Sequence, residues 1–242
     1  MKNVADYLLP ADADPEQIQN VIDRETDLLR MMETQMQALP SNDSKEKTLL
    51  EEWKLSITPV NDEKELRQIK RHMGHSADCF SKAFRVKNSN RDNAFWNYYD
   101  KHNYHKEDIH YWYHGSRNMN CLSILHNGLI LNPKAPKVGH MFGYGIYLAP
   151  KAKKSIGYTS LNGSFWVHGT SDKAYLFVMK TVYKSPYHVY TWTSGMKSLT
   201  KSRISPHDAV FAHAGTSLRN DEVVIFDDAQ VTLQYIIELK QQ

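Results

Sequence analysis

The chain has 242 residues, 41% of them hydrophobic and 11% aromatic. That suffices for one sizeable core, or a core with a small appendage, and argues against wholesale disorder. The net charge is only +3 and the sequence pI about 8.6, below the range of roughly 9 and above typical of a dedicated nucleic-acid binder. The two cysteines, Cys79 and Cys121, cannot build a disulfide framework or a zinc site. No HExxH or CxxC spacing is present among the 12 histidines, so no metal is expected. There is no apolar run near the ~20 residues of a membrane span, and no positive stretch leading into an apolar one at the N-terminus. An intracellular working site, cytoplasmic or nuclear, is the default; delivery into another cell by a dedicated apparatus would leave no such mark.

Asp14-Pro15-Glu16-Gln17 combines a capping residue, a proline suited to the first helical position and a glutamine where a capping box wants one. Ile18, Val21, Ile22, Leu28, Leu29, Met32 and Met36 then recur at helical spacing. The pattern predicts a helix that buries one face and ends near Leu39, before the polar break Pro40–Ser44. Leu55, Ile57 and Val60 predict a strand. Asp62 and Glu65 form a second capping-box pattern, opening a helix with Leu66, Ile69 and Met73 that stops at Gly74. Phe80, Lys82, Phe84 and Val86 alternate as a strand, and 91–99 reads as a short helix.

A strand over 110–114 follows, then a helix over 118–126 ended by Gly128, then a Pro/Gly-punctuated loop over 132–140. Residues 174–183 make a long apolar strand and 188–191 a short one. Residues 193–220 read as irregular, and 222–226 and 231–239 as strands of period-2 character. Helices dominate early and strands late, without βαβ alternation, which is an α+β pattern.

Three blocks carry chemistry. The first is Tyr113-His114-Gly115-Ser116-Arg117. The second runs from Gly139-His140-Met141-Phe142-Gly143-Tyr144-Gly145-Ile146-Tyr147-Leu148-Ala149 to Lys154-Ser155-Ile156-Gly157-Tyr158. The third is Asn220-Asp221-Glu222-Val223-Val224-Ile225-Phe226. Singly each is weak: a histidine beside glycine is common at a strand end, core tyrosines are ordinary, and a glutamate can open a strand at the exposed end of a sheet. The glycine loop lacks the Gly-Lys-Ser/Thr ending of a P-loop, and Gly143-Tyr144-Gly145 has no third glycine for a dinucleotide fingerprint. Lys151, Lys153 and Lys154 form the only dense basic cluster near these blocks; a solvated helix face is the plain reading.

Together and in this order, the blocks resemble the catalytic domain of the poly(ADP-ribose) polymerases, enzymes that split NAD+ and pass ADP-ribose to an acceptor. The resemblance covers roughly Leu55 to Lys240, and His114, Tyr147 and Glu222 match the family's His-Tyr-Glu triad. It implies an ADP-ribosyltransferase fold: two packed, mainly antiparallel sheets with peripheral helices, preceded by a short helical segment. Residues 1–53 would be that segment, the remnant of a regulatory helical domain, and 54–242 the catalytic domain.

The resemblance also implies roles. Tyr147 and Tyr158 sandwich the nicotinamide ring, a flat cation that stacking and cation–π attraction both favour. Gly115 pairs with the carboxamide through its backbone, and Ser155 donates to the carboxamide oxygen. His114 holds the adenosine ribose, with Ser116 and Arg117 beside it. Glu222 accepts from the nicotinamide ribose and stabilises the cation formed as the glycosidic bond breaks. Met141 and Lys154 fall on the acceptor side. NAD+ is a consumed substrate, with no prosthetic group. The partners implied are NAD+ and a macromolecular acceptor, protein or nucleic acid, with no membrane and no DNA-binding module.

Departures from the family pattern shape the finer expectations. Residues 14–39 resemble only the last helix of the usual regulatory domain, so activity is expected not to wait for DNA breaks. Ile130 stands where some members carry an arginine near the adenine, and Asn220 where some elongating members carry a tyrosine. Glutamate in the third triad position is compatible with poly- or oligo-ADP-ribose, which is slightly favoured over single transfer. The alternatives are an NAD+ glycohydrolase toxin using water as acceptor and a non-catalytic module that binds NAD+ or ADP-ribose. A tRNA 2′-phosphotransferase fits the weak basic balance poorly.

Overall fold

A computed structural model describes residues 47–131 and 141–241, with scattered positions between Asp14 and Arg30. Those positions, from Pro15 to Arg30, are helical, as the capping signals predict. Their burial differs from expectation. Ile18, Ile22 and Leu29 are exposed, whereas Asp27 is only 8% exposed. Asp27 accepts from Arg117 at 3.1 Å and from Arg30 at 3.3 Å, so at the described positions an ion pair, and not the apolar stripe, makes the contact. The expected helix end near Leu39 and the loop over 132–140 lie outside the described residues.

A short helix, α1 (Leu49–Glu52), opens with a full capping box in which Thr48 and Glu51 satisfy each other's backbone N–H groups. Strand β1 (Leu55–Pro59) and helix α2 (Glu63–Met73) follow. Asp62 caps α2 by accepting the Glu65 N–H at 2.7 Å. The Glu65 carboxylate does not complete the box; it turns to Arg85 and to the Tyr235 hydroxyl, two partners on the sheet. The helix stops at Gly74, whose φ of +58° suits glycine.

Strand β2 (Phe80–Asn88) leads into α3 (Ser89–Lys101), longer than the predicted 91–99 because Asn88 caps it, accepting the Arg91 N–H at 3.2 Å. Its buried Phe95 and Tyr98 pack with Tyr104 and Val182. Strand β3 (Ile109–Gly115) is as expected, and the next helix is a 3-10 turn, Asn118–Asn120, running into α4 (Cys121–Asn127). Then come β4 (Ile146–Leu148), α5 (Ala152–Ile156), β5 (Lys173–Val182), β6 (Pro186–Val189), β7 (Ala209–Ala212), β8 (Glu222–Ile225) and β9 (Val231–Lys240).

Two sheets result. The larger has the order β1-β2-β9-β5-β3 and is antiparallel throughout; the smaller has the order β4-β8-β7-β6, with β6 and β7 parallel. Phe177 and Met179 of the large sheet meet Val223 and Ile225 of the small one in the central core. The other face of the large sheet packs on α2 and α5 through Leu176, Ile237, Ile69 and Ala152. This is the two-sheet α+β architecture that the resemblance implies.

Two strand expectations need correction. The strand expected over 188–191 lies earlier, at Pro186–Val189, and ends before Tyr190 and Thr191. Strand β7 sits inside the stretch read as irregular. Its four residues include buried Ala209, Val210 and Ala212, so no period-2 alternation marks it.

Candidate functional site

The three chemical blocks converge where the sheets meet. Strand β3 belongs to the large sheet and β4 to the small one, and they are joined by two hydrogen bonds of 2.9 Å between the backbones of Tyr113 and Ala149. His114 and Gly115 end β3. Tyr147 is central in β4, opposite Val224 of β8. Side chains alternate along a strand and cross-strand partners share a face. Tyr147, Val224 and, two residues earlier, Glu222 therefore lie on one face of the small sheet.

His114 Nδ1 lies 3.1 Å from the Tyr147 carbonyl oxygen. A carbonyl can only accept, so Nδ1 carries the proton and Nε2 of the neutral ring is an acceptor. Burial pushes the His114 pKa below its usual range, against a smaller raising effect of that hydrogen bond. The neutral form is thus favoured near pH 7, leaving a histidine suited to accept from a hydroxyl.

The Tyr147 hydroxyl accepts the Phe142 N–H at 2.9 Å and donates to the Gly143 carbonyl at 2.8 Å. The ring is thereby tied to the glycine loop. Gly143 has φ +81°, and a Cβ there would lie 2.0 Å from the Leu199 carbonyl oxygen, so this turn closes only on glycine. Burial pushes the Tyr147 phenol up to about 12, so it stays protonated and its two bonds persist.

Gly115 packs against α5. A Cβ on it would fall 1.7 Å from the Ser155 carbonyl oxygen. The sequence points to a ligand approaching this glycine; the immediate steric demand comes instead from the backbone of Ser155. That contact brings Gly115 and Ser155 together, with Ser155 4% exposed. Tyr158 follows α5, and its ring stacks on Trp166 at a centroid distance of 5.8 Å and 17° between planes. Trp166 also donates its backbone N–H to the Gly157 carbonyl at 2.9 Å. No motif pointed to Trp166, which arrives from the loop before β5.

Glu222 opens β8 and pairs with Lys154 of α5; the two side chains are 12% and 11% exposed. The pair joins the second and third blocks. Burial pushes the Lys154 ammonium down to about 8, and the Asp221 charge opposes that shift. Asp221 itself accepts the Ala214 N–H at 2.7 Å and so anchors the loop before β8.

The remaining candidates lie at the rims. Ser116 Oγ accepts from Asn120 at 2.9 Å. Arg117 is engaged by Asp27, a helical residue that no motif pointed to. The Met141 carbonyl accepts from the Trp192 indole at 2.7 Å, which sets the glycine loop under the segment before β7. Among the described residues no group of three or more His, Cys, Asp or Glu could hold a metal ion, and no helix is long and apolar enough to cross a membrane.

Comparison with known proteins shows the family. Residues 62–241 match the poly(ADP-ribose) polymerase catalytic domain. The chain belongs to that family. Its relatives include a poly [ADP-ribose] polymerase of Drosophila melanogaster, 31% identical over 147 residues, which are 53% of this chain and 15% of that protein. One of Sarcophaga peregrina is 33% identical over 146 residues, 52% of this chain and 15% of that protein. The human poly [ADP-ribose] polymerase 2 is 47% identical over 57 residues, 22% of this chain and 10% of that protein. The matches thus span a small fraction, 10–15%, of these longer relatives.

Proposed function

We propose that the chain is an NAD+ ADP-ribosyltransferase that cleaves the nicotinamide–ribose bond and passes ADP-ribose to a protein or nucleic-acid acceptor. The observation that carries this reading is the convergence of His114, Tyr147 and Glu222 at the junction of the sheets. His114 is bonded to the backbone of Tyr147, and Glu222 lies on the Tyr147 face, almost buried beside Lys154. Membership of the poly(ADP-ribose) polymerase catalytic-domain family supports it.

In this reading NAD+ lies across the cleft. His114 Nε2 accepts from an adenosine ribose hydroxyl, Tyr147 and Tyr158 flank the nicotinamide, and Gly115 and Ser155 take its carboxamide; Ser116 lines the adenosine side. The bond between the nicotinamide nitrogen and ribose C1′ breaks with its electron pair leaving on nitrogen, so neutral nicotinamide departs. The Glu222 carboxylate accepts from the 2′-hydroxyl and stabilises the positive charge that grows on the ribose. It then accepts the proton of the acceptor hydroxyl as that oxygen bonds to C1′. Before substrate arrives, Lys154 neutralises Glu222; with the acceptor present, Lys154 and Met141 lie on its side.

The product is poly- or oligo-ADP-ribose in preference to a single unit, and the segment 1–53 is the remnant of a regulatory helical domain touching the catalytic domain at Arg117. The test is incubation with labelled NAD+, alone and with a cell lysate, followed by a denaturing gel. A ladder or smear is expected. Sharp bands would replace polymer by single transfer. Free ADP-ribose without a labelled macromolecule would replace transfer by NAD+ hydrolysis, and no nicotinamide release at all would leave a binding module.

A further inference from the structure

The two tyrosines assigned to nicotinamide are held in different ways. The Tyr147 ring is fixed through its hydroxyl, which bonds to Phe142 and Gly143. The Tyr158 hydroxyl makes no hydrogen bond to another described residue. Its ring is met instead by the Trp166 indole, stacked at a centroid distance of 5.8 Å with 17° between planes.

Trp166 sits near the tip of a closed loop. Leu161 and Ser171 pair across its base. There the Asn162 N–H donates to the Ser171 carbonyl at 2.8 Å, and the Ser171 N–H to the Ser160 carbonyl at 2.9 Å. Nearer the tip, Ser164 Oγ accepts the Gly169 N–H at 2.8 Å. These bonds shape the loop without the indole. Trp166 is 50% exposed and belongs to none of the buried core clusters among the described residues.

The contacts of Trp166 are directed at the end of α5. Its backbone N–H donates to the Gly157 carbonyl at 2.9 Å. A Cβ on Gly157 would lie 2.9 Å from the indole Cδ1, so the indole seats this closely because residue 157 is glycine. The Gly157 φ of −59° is open to any residue, and the demand is steric. The indole is also braced. Phe165 meets it edge-on at 4.7 Å and 88°, and the Arg219 guanidinium lies 5.5 Å from the Phe165 centroid. Arg219 belongs to the loop that leads into Glu222.

We infer that Trp166 is a positioning residue for NAD+, backing the Tyr158 ring on the face turned away from nicotinamide. This rests on the nicotinamide role proposed for Tyr158. A ring has two faces; with one taken by the indole, the other stays open to a flat cation. A wall fixed beforehand loses little freedom when its ligand arrives. The nicotinamide ring is cationic in NAD+ and neutral once it leaves. Cation–π attraction to Tyr158 therefore favours bound substrate over the departing group. Loosening Tyr158 should raise KM and leave kcat within about twofold.

The test titrates nicotinamide by NMR into the wild type and its variants, and measures KM and kcat for nicotinamide release from NAD+ on the same samples. Trp166→Ala is expected to weaken nicotinamide binding and raise KM by about three- to tenfold, the worth of one aromatic pair. Trp166→Phe should recover most of that loss. Gly157→Ala pushes the indole aside without removing it and should shift KM in the same direction. Combined with Trp166→Ala it should add less than about twofold, because the two changes break one contact. Trp166 is half exposed, so these variants should melt as the wild type does. A wild type that neither binds nicotinamide nor releases it from NAD+ would remove the role of Tyr158, and this inference with it. Wild-type binding that Trp166→Ala leaves unchanged would overturn the inference alone. Tighter binding by Trp166→Ala would overturn it too, since the indole would then cover the face that nicotinamide needs. So would a Gly157→Ala effect that persists in full without the indole.

Discussion

The two sheets divide the labour. The large sheet is built on long strands, with ten residues each in β5 and β9, and its central side chains Leu176, Phe177, Met179 and Ile237 are fully buried. The small sheet has strands of only three or four residues, yet it carries Tyr147 and Glu222. Short strands leave many backbone positions next to turns, and turns are where side chains can be aimed into a cleft. Their cost is that each depends on loop contacts to stay in place: Tyr147 on Phe142 and Gly143, the loop before Glu222 on Asp221. The comparison teaches that the scaffold holds by buried area and the site by a few directed polar bonds.

The largest effect on stability should follow a break in the scaffold. Phe177→Ala empties a fully buried position between the sheets and should cost about 3–5 kcal/mol, measured by urea unfolding. A loss under about 1 kcal/mol would show that the large sheet is not the main source of stability. Next is Gly115→Ala, where scaffold and site touch. Its Cβ would meet a backbone oxygen at 1.7 Å, and backbone cannot swing aside as a side chain can. A cost of about 1–3 kcal/mol is expected, with NAD+ turnover falling further than stability because Ser155 is displaced.

Tyr147→Phe isolates the polar contribution to the site. It removes two bonds to the glycine loop while keeping the ring, and should cost about 1–2 kcal/mol. Nicotinamide release should slow; unchanged kinetics would mean that the loop does not need this anchor. The smallest effect concerns pH. The Lys154 pKa is depressed to about 8 in the folded chain against about 10.4 when unfolded. Between those values the unfolded state binds more protons, so this lysine makes stability rise with pH. Below about pH 8 its penalty is fully present. Wild-type stability should therefore gain on Lys154→Met from pH 8 to pH 10 in paired thermal melts, and no relative change would contradict the assigned burial.

Legibility in the sequence followed the same division. The long strands β2, β5 and β9 were readable because side chains such as Phe80, Phe84 and Val86, or the apolar run in 174–183, repeat often enough to set a period. Helix α2 was readable from Asp62 and Gly74 at its ends. Strand β7 was not, because Ala209–Ala212 is too short and too buried to alternate. The blocks around His114, Tyr147 and Glu222 were legible by their order. Long-range partners were not: nothing local tells that Glu65 turns to Arg85, that Trp166 lies on Tyr158, or that Asp27 meets Arg117. Such pairs are set by the packing of distant elements, as is the demand on Gly115, which proved to come from Ser155.

The most direct test of the central claim compares Glu222→Gln with the wild type, measuring nicotinamide release from NAD+ and, separately, NAD+ affinity by calorimetry. The account predicts that release falls at least about 10²–10³-fold, the range for loss of one preorganised electrostatic group, while NAD+ affinity stays within a fewfold. A variant that retains most of its release would contradict the role given to Glu222 and, with it, the chemistry proposed for this site.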